Sequence, residues 1–586
     1  MTENSIKMNY RKNKNNNFLK YLEEMNEINI SNLQNYIPIY NSFFSLNENN
    51  FNSINLNNKW ELSSLEINKD SNEKIAVIKN IEGQSKKVPV FFKFSPLVDP
   101  IRYLVGKYED ENIFLLPNLN NSCNKKMRDI NNSAYIDSFF YYLSSKICEE
   151  HYCPNCIDFY GSYLGIKKDF QLNIDEETEI LYNSEFFHKN KDIIFSLNNP
   201  NIDDLFNEDS RKYKNKLSFG ENLDSISIST VSSLKELDGL LEDCKTNNNE
   251  INELDIIFND SNLKKSNSST NSNCSSRSSI TDDEESLDSN SVTSEKSAIS
   301  QNSENSENKE LSSLDSDNNS KLSSEEYSSE NSDIGITINK FPVQMIAIES
   351  CKETLDNLLE NSENLEDIHI ISALFQVIIT LLIYRLKYNF NHNDLHTNNI
   401  MFVNTDREFL YYKYQDNYFK VPTFGKIYKI IDFGRATFKF KGRNFISDSF
   451  HKDGDAGSQY NMEPYFNSNK PRLEPNGSFD LCRLGCSLYD LYIPEDFNKN
   501  EDEYTPLMKL IEEWCTDDKG KNILYKKNGE ERYPSFKLYK MISRLVSKHT
   551  PEAQIYKDIF SCFKTNRKSL PKKASIVNID SMERSI

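Results

Sequence analysis

Between about residue 170 and residue 335 this sequence stops supplying the apolar side chains from which a core is built. The stretch is mostly Asn, Ser, Asp and Glu. From Thr281 to Asp333 it carries 15 acidic and three basic residues, a net charge of −12 against −20 for all 586 residues. Such a segment cannot bury enough apolar surface to offset its ordering entropy. We therefore expect disorder over about 215–333, partial structure over 175–214, and a fold assembled from the sequence on either side. The acidity belongs mainly to this insert, and the remainder is closer to neutral.

The break also accounts for a hydrophobic content of only 37%, below that of a usual globular chain. Net acidity argues against whole-chain nucleic-acid binding, because phosphate backbones are met by clustered cations. The N-terminus, MTENSIKMNYRKNKNNN, lacks the apolar centre of a signal peptide. Residues 366–388 form one long apolar run, of membrane-spanning length. Glu366, Asp367, His369, Arg385 and Lys387 bracket it and Gln376 interrupts it, so it reads as a buried core helix and no membrane segment is expected. Eleven cysteines are scattered without framework spacing. The one C-x-x-C, Cys153 to Cys156, has no second pair to complete a zinc site, and free thiols in a reducing compartment are expected.

Periodicity places the elements. WELSSLEI alternates, KIAVIKNI is β-rich, and VPVFFKF is an apolar run reaching Phe94, so 59–95 reads as strands. Residues 133–150 have helical spacing, through Ile136, Phe139, Phe140 and Leu143. A strand is expected over 156–166 and another at FPVQMIAIES. Helices are expected over 354–360, 366–388, 479–492, 504–514 and 535–548. REFLYYKYQDNYFKV reads as an added hairpin, and residues 1–50, rich in Asn and Lys, as a loosely docked arm.

The chemistry concentrates in NHNDLHTNNIMF at 391–402 and YKIIDFG at 428–434. Phosphoryl transfer needs positioning, metal ions on the phosphate oxygens, and a carboxylate aimed at the attacking hydroxyl. A loop after the apolar helix offers Asp394 as that carboxylate. Asn399 can offer an amide oxygen to a metal, and Asp432, at a strand end, a second acidic ligand.

His392-x-Asp394-Leu395-x-x-x-Asn399 resembles the catalytic loop of protein kinases, and Asp432-Phe433-Gly434 resembles their magnesium-binding motif. The resemblance implies an α+β, bilobal fold, with a small β-rich N-lobe, a larger helical C-lobe, and the disordered insert between parts of the N-lobe. Its divisions are an extension over 1–58, the first part of the N-lobe over 59–168, the insert over 169–337, the end of the N-lobe and hinge over 338–351, the C-lobe over 352–548 and a tail over 549–586. Lys93 resembles the strand lysine that holds the nucleotide phosphates. CPNCIDFYGSYL resembles the segment after helix C, and QMIAIES the strand leading to the hinge. Glu349, Ser350 and Cys351 would then offer backbone groups to adenine. FDLCRLGCSLYD resembles the helix whose Asp480 anchors the catalytic loop, with Gly485 at the motif's spacing; His392, Phe433, Gly434, Asp480 and Gly485 are structural in this reading. Asp137 is the candidate helix-C acid, against the simpler reading of a surface carboxylate. ATP and Mg2+ are the implied ligands.

Several positions depart from the family pattern. No glycine precedes Gly83, so the Gly-rich phosphate loop is missing, and the turn near Ser63 or Asp70 is a poor substitute for bare backbone N–H groups. Asn393 stands where an Arg usually clamps a phosphorylated activation loop. His396 replaces a Lys, as in the haspin-like and aminoglycoside-phosphotransferase-like branches. In GSQYNMEPY, Glu463 precedes Pro464 rather than following it. The composition and the phrase FKFSPLVDPIRY resemble kinase-like proteins of giant DNA viruses, which implies host cytoplasm or virion. Three functions follow: a phosphotransferase acting first on Ser/Thr of a protein substrate, a pseudokinase scaffold binding partners through the acidic insert, and a small-molecule kinase. Lys93, Asp394, Asn399 and Asp432 favour activity, the missing glycines favour the scaffold, and Asp480 with Gly485 favours a protein over a small-molecule acceptor.

Overall fold

β-Branched and aromatic runs from both sides of the insert meet in one sheet. The computed structural model describes residues 8–12, 17–67, 74–120, 122–175, 177–198, 335–362, 365–494 and 504–582; the span 215–333 and Asp70 lie outside them. Helix α1 (Asn17–Glu24) leads into β1 (Ile30–Gln34), followed by β2 (Glu61–Ile67), β3 (Lys74–Lys79) and β4 (Ser85–Pro96). Helix α2 (Ser133–His151) follows, then β5 (Phe159–Asn173), β6 (Phe195–Leu197) and β7 (Gly335–Glu349). The sheet runs β1-β5-β7-β4-β3-β2, with β6 also on β7, and its named pairings are antiparallel.

Three sequence boundaries move. The 1–58 extension is part of the fold: Ile30 pairs with Lys167, and Ile37, Ile39 and Leu56 join the core. The strand expected over 156–166 starts at Phe159 and reaches Asn173, where it pairs with Gly335, so ordered backbone extends past the boundaries at 169 and 337. Strand pairing won over composition here, because Phe170 and Leu172 alternate inward among polar neighbours.

The C-terminal part carries five of the named helices. It contains α3 (Leu355–Asn361), α4 (Asp367–Tyr388), α5 (Phe479–Tyr492), α6 (Pro506–Trp514) and α7 (Lys537–Leu545). Between α4 and α5 run β8 (Ile400–Asn404), β9 (Phe409–Tyr414), β10 (Asn417–Pro422), β11 (Lys426–Ile430), β12 (Thr437–Phe440) and β13 (Arg443–Ile446). The fold is thus mixed α+β, β-rich toward the N-terminus and helical toward the C-terminus. Helix α4 starts at a reciprocal Glu366–His369 cap and stops at Asn389, whose φ is +49°. It is apolar and long enough to cross a membrane, but most of it is buried within the fold. The expected hairpin is β9–β10, and the tail adds Lys564–Thr565 and Ile576–Asn578 to its two edges.

Helix α2 matters most for the site. Asn132 caps its first turn and Asp448, beyond β13, accepts from Ser133 N at 2.9 Å. From the N-terminal segment, Phe43 meets Phe139 of α2 at 5.1 Å and Phe445 of β13 at 5.7 Å between ring centroids. The helix is therefore gripped by segments that precede and follow it in the chain.

Candidate active site

Alternation along β4 turns Lys93 and Ser95 to the face covered by α2. Lys93 Nζ lies 2.7 Å from Asp137 Oδ2 and 2.9 Å from Asp432 Oδ1. One cation thus serves two carboxylates. Asp137 is 1% exposed, so the reading of a surface acid fails: the helix face it occupies is covered by the sheet. Burial pushes its carboxyl up despite Lys93. Asp432 is 40% exposed; burial also pushes it up, but Lys93 outweighs this and holds it down. Asp137 Oδ1 also accepts from Phe433 N at 2.8 Å, and the Tyr141 hydroxyl oxygen accepts from Asp432 N at 2.9 Å in the same turn. Phe433 is fully buried between Phe140 and Tyr141. Asp432 has a φ of +61°, a left-handed turn held by these bonds, and Gly434 follows it.

The Asp394 loop is held from beneath. Asp480, at the start of α5, accepts from His392 N and Asn393 N at 2.8 Å each. Burial raises its carboxyl, with His392 opposing. His392 Nε2 contacts Ile431 O at 2.9 Å, which ties this loop to the Asp432 turn. Gly485 is required by close packing, since a Cβ there would lie 2.7 Å from Trp514 Cβ. Asn399 Nδ2 donates to Asp394 O at 2.9 Å and contacts His396 Nε2 at 3.2 Å, which leaves Oδ1 to meet a cation. The β8–β11 ladder pairs Ile400 with Ile430, and Asn399 O accepts from Ile431 N. Asn399 and Asp432 therefore leave the same end of one ladder.

Three side chains around Asp394 escaped the sequence reading. Tyr539 of α7 donates its hydroxyl to Asp394 Oδ1 at 2.7 Å, and Arg483 Nε of α5 donates to that hydroxyl at 2.9 Å. Arg435 Nη1 faces Asp394 Oδ2 at 3.4 Å, and its other nitrogens bind Asp455. Burial raises the Asp394 carboxyl, but Arg435, His396, Arg483 and the Tyr539 bond together hold it well below the usual carboxylate range. Arg435 follows Gly434 directly and was visible by adjacency; Tyr539 lies 145 residues from Asp394 and carries no local signal.

Glu349 ends β7 with its side chain on Lys429 Nζ at 2.6 Å and its N–H on Asp158 O at 3.0 Å. Its amide and carboxylate are therefore already engaged, while the backbone of Ser350 and Cys351 continues beyond the strand. Ser63 lies within β2, not in a turn. Asn393, with a φ of +64°, accepts from the Tyr460 hydroxyl at 2.8 Å.

Asp432 and Asn399 carry a carboxylate and an amide oxygen that could hold a divalent cation. No cluster of three or more His, Cys, Asp or Glu suited to a metal occurs among the described residues. A cation here would thus have two protein ligands and take the rest from its anionic ligand and water, which suits magnesium better than zinc. Lys93 adds a cationic group for an anion, and Asp394 a separate ionised carboxylate. No protein-family model and no curated protein matches this chain.

Proposed function

We propose that this chain is a phosphotransferase of protein-kinase type, moving the terminal phosphate of Mg-ATP to a hydroxyl, with Ser or Thr of a protein as the first acceptor class. The observation that carries the reading is the Lys93 bridge to Asp137 and Asp432, beside a loop that presents Asp394 and Asn399. In this reading the sheet with α2 is a small lobe and the helical part a larger one, a bilobal arrangement with Ser350 and Cys351 at the join. Lys93 binds the nucleotide phosphates, exchanging its contact with Asp432 while Asp137 keeps it aimed. Asp432 and Asn399 would hold magnesium, which neutralises charge on the phosphate oxygens when bound. Asp394 orients the acceptor hydroxyl. Its strongly ionised state suits alignment more than proton storage, in keeping with a loose transition state that asks little of a base.

One observation favours a second reading, a nucleotide-binding scaffold without transfer: no glycine precedes Gly83, so the sequence around the first strands offers no glycine through which bare backbone could approach phosphates. The test is thermal stabilisation of the full chain by Mg-ATP, followed by phosphate transfer to itself and to a basic model protein. Stabilisation with transfer upholds the enzyme. Stabilisation without transfer, across several acceptors and metals, leaves the scaffold. Neither effect would reject both.

A further inference from the structure

The proposed acceptor-orienting carboxylate has a partner on α7 that the reaction as described does not use. Tyr539 is 4% exposed. Its ring stacks on Phe536 at 5.5 Å and lies beside Phe479 at 6.0 Å. Two guanidinium groups lie over that ring, Arg483 at 5.2 Å and Arg435 at 5.6 Å from its centroid. The direction of the hydroxyl proton follows from its neighbours. An arginine only donates, so Arg483 Nε supplies a hydrogen to the Tyr539 oxygen and the phenol passes its own to Asp394 Oδ1, at 2.9 and 2.7 Å. Oδ2 is different. Arg435 Nη1 faces it at 3.4 Å without forming a hydrogen bond, so Oδ2 keeps its acceptor capacity.

We propose that Arg483 and Tyr539 form a donor relay that fixes Asp394 Oδ1, leaving Oδ2 as the oxygen that receives the acceptor hydroxyl. Tyr539 and Arg483 are positioning residues in this assignment, acting through Asp394. The relay selects one of two chemically equal oxygens and stops the carboxylate from rotating about its last bond. A hydroxyl held by a rotating carboxylate samples many poor attack geometries, and restricting those is a recognised source of rate. Arg435 completes the arrangement: its position is set by Asp455, so it neutralises Asp394 without occupying the acceptor's place. The charged and titratable groups facing Asp394 are Arg435, His396, Arg483, Tyr539 and, more weakly, Asp432. The inference rests on the phosphotransferase reading above.

The test compares wild type with Tyr539→Phe, which keeps the ring and removes the donor, and with Arg483→Gln, which keeps the phenol and removes the group behind it. Two measurements are made on the full chain at neutral pH: kcat and KM for Mg-ATP in phosphate transfer, and the carboxyl carbon resonance of Asp394, assigned through Asp394→Asn. Tyr539→Phe is expected to lower kcat about 10-fold, the scale of one hydrogen bond to a charged group, with KM for Mg-ATP unchanged and the Asp394 resonance moved. Arg483→Gln is expected to lower kcat by a smaller factor in the same pattern. If Tyr539→Phe fails to fold, Arg483→Gln alone decides. Unchanged kcat in a folded variant overturns the proposal, and so does a kcat loss matched by lost nucleotide affinity, which marks a merely structural role. A wild type without transfer rejects the phosphotransferase reading; the resonance then decides the relay, which falls if the signal does not move in Tyr539→Phe.

Discussion

Asp394 and Asp432 are both carboxylates of the candidate site, yet their surroundings differ: Lys93 contacts Asp432, whereas Arg435 and Tyr539 contact Asp394. In the proposed phosphotransferase Asp432 would face the cation and the phosphates. Asp432→Asn should therefore abolish Mg-dependent nucleotide binding in a chain that still folds, because the remaining amide cannot balance a divalent ion. Calorimetric titration with Mg-ATP checks this, and unchanged affinity would reject Asp432 as a ligand. Asp394 would face the acceptor in the same reading. Asp394→Ala should keep nucleotide affinity while transfer falls by about 10²–10⁴-fold, the range for a positioned acid or base; equal losses in affinity and rate would place it on the nucleotide instead. The motif letters made both residues legible. The acid that pairs with Lys93 was less legible, since Asp137, Glu149 and Glu150 all lie on α2. Packing chose Asp137: Glu149 is occupied by Lys146 at the far end of the helix.

Helices α2 and α4 meet at their C-terminal ends, where His151 of α2 touches Lys387 Nζ of α4 at 3.2 Å. Burial, and then the Lys387 charge, lower the His151 pKa to about 4. The unfolded chain takes up this proton near pH 6.5, so between these values the unfolded state binds more protons than the folded one. Stability is then complete above about pH 6.5 and declines as pH falls toward 4. Wild type should lose about 2 kcal/mol over that window from this group, and His151→Gln should flatten the slope. Urea midpoints measured from pH 7 to pH 4.5 test this; parallel curves would remove His151 from the account. The elements themselves were largely readable. Helix α4 carries apolar residues all round because it is buried all round, and hairpin β9–β10 follows from alternation on either side of Gln415-Asp416, both at positive φ.

For the whole molecule, the insert enters and leaves at paired strands. Leu197 of β6 pairs with Ile336 of β7, so the sheet holds together the two points between which residues 199–334 lie in sequence. Lengthening a closed loop costs only slowly with length. Deleting 215–333 should therefore leave the thermal midpoint within about 2 °C, a change of no more than about 2 kcal/mol for a fold of this size, and calorimetry checks it. A large fall would mean that the insert supplies core contacts. What the sequence by itself determined was local or ordered along the chain: strand and helix periods, the compositional break, and the succession Lys93, Asp394, Asn399, Asp432, Asp480. These survive because backbone geometry repeats every two or 3.6 residues and because short loops keep their residues together. What only the tertiary structure decided was convergence across distance. Ile30–Gln34 became a sheet edge, Asp137 became the partner of Lys93, and Tyr539 and Arg483 came to hold Asp394. No period in the chain encodes those contacts, because they depend on how helices α5 and α7 and the sheet bury their apolar faces against one another.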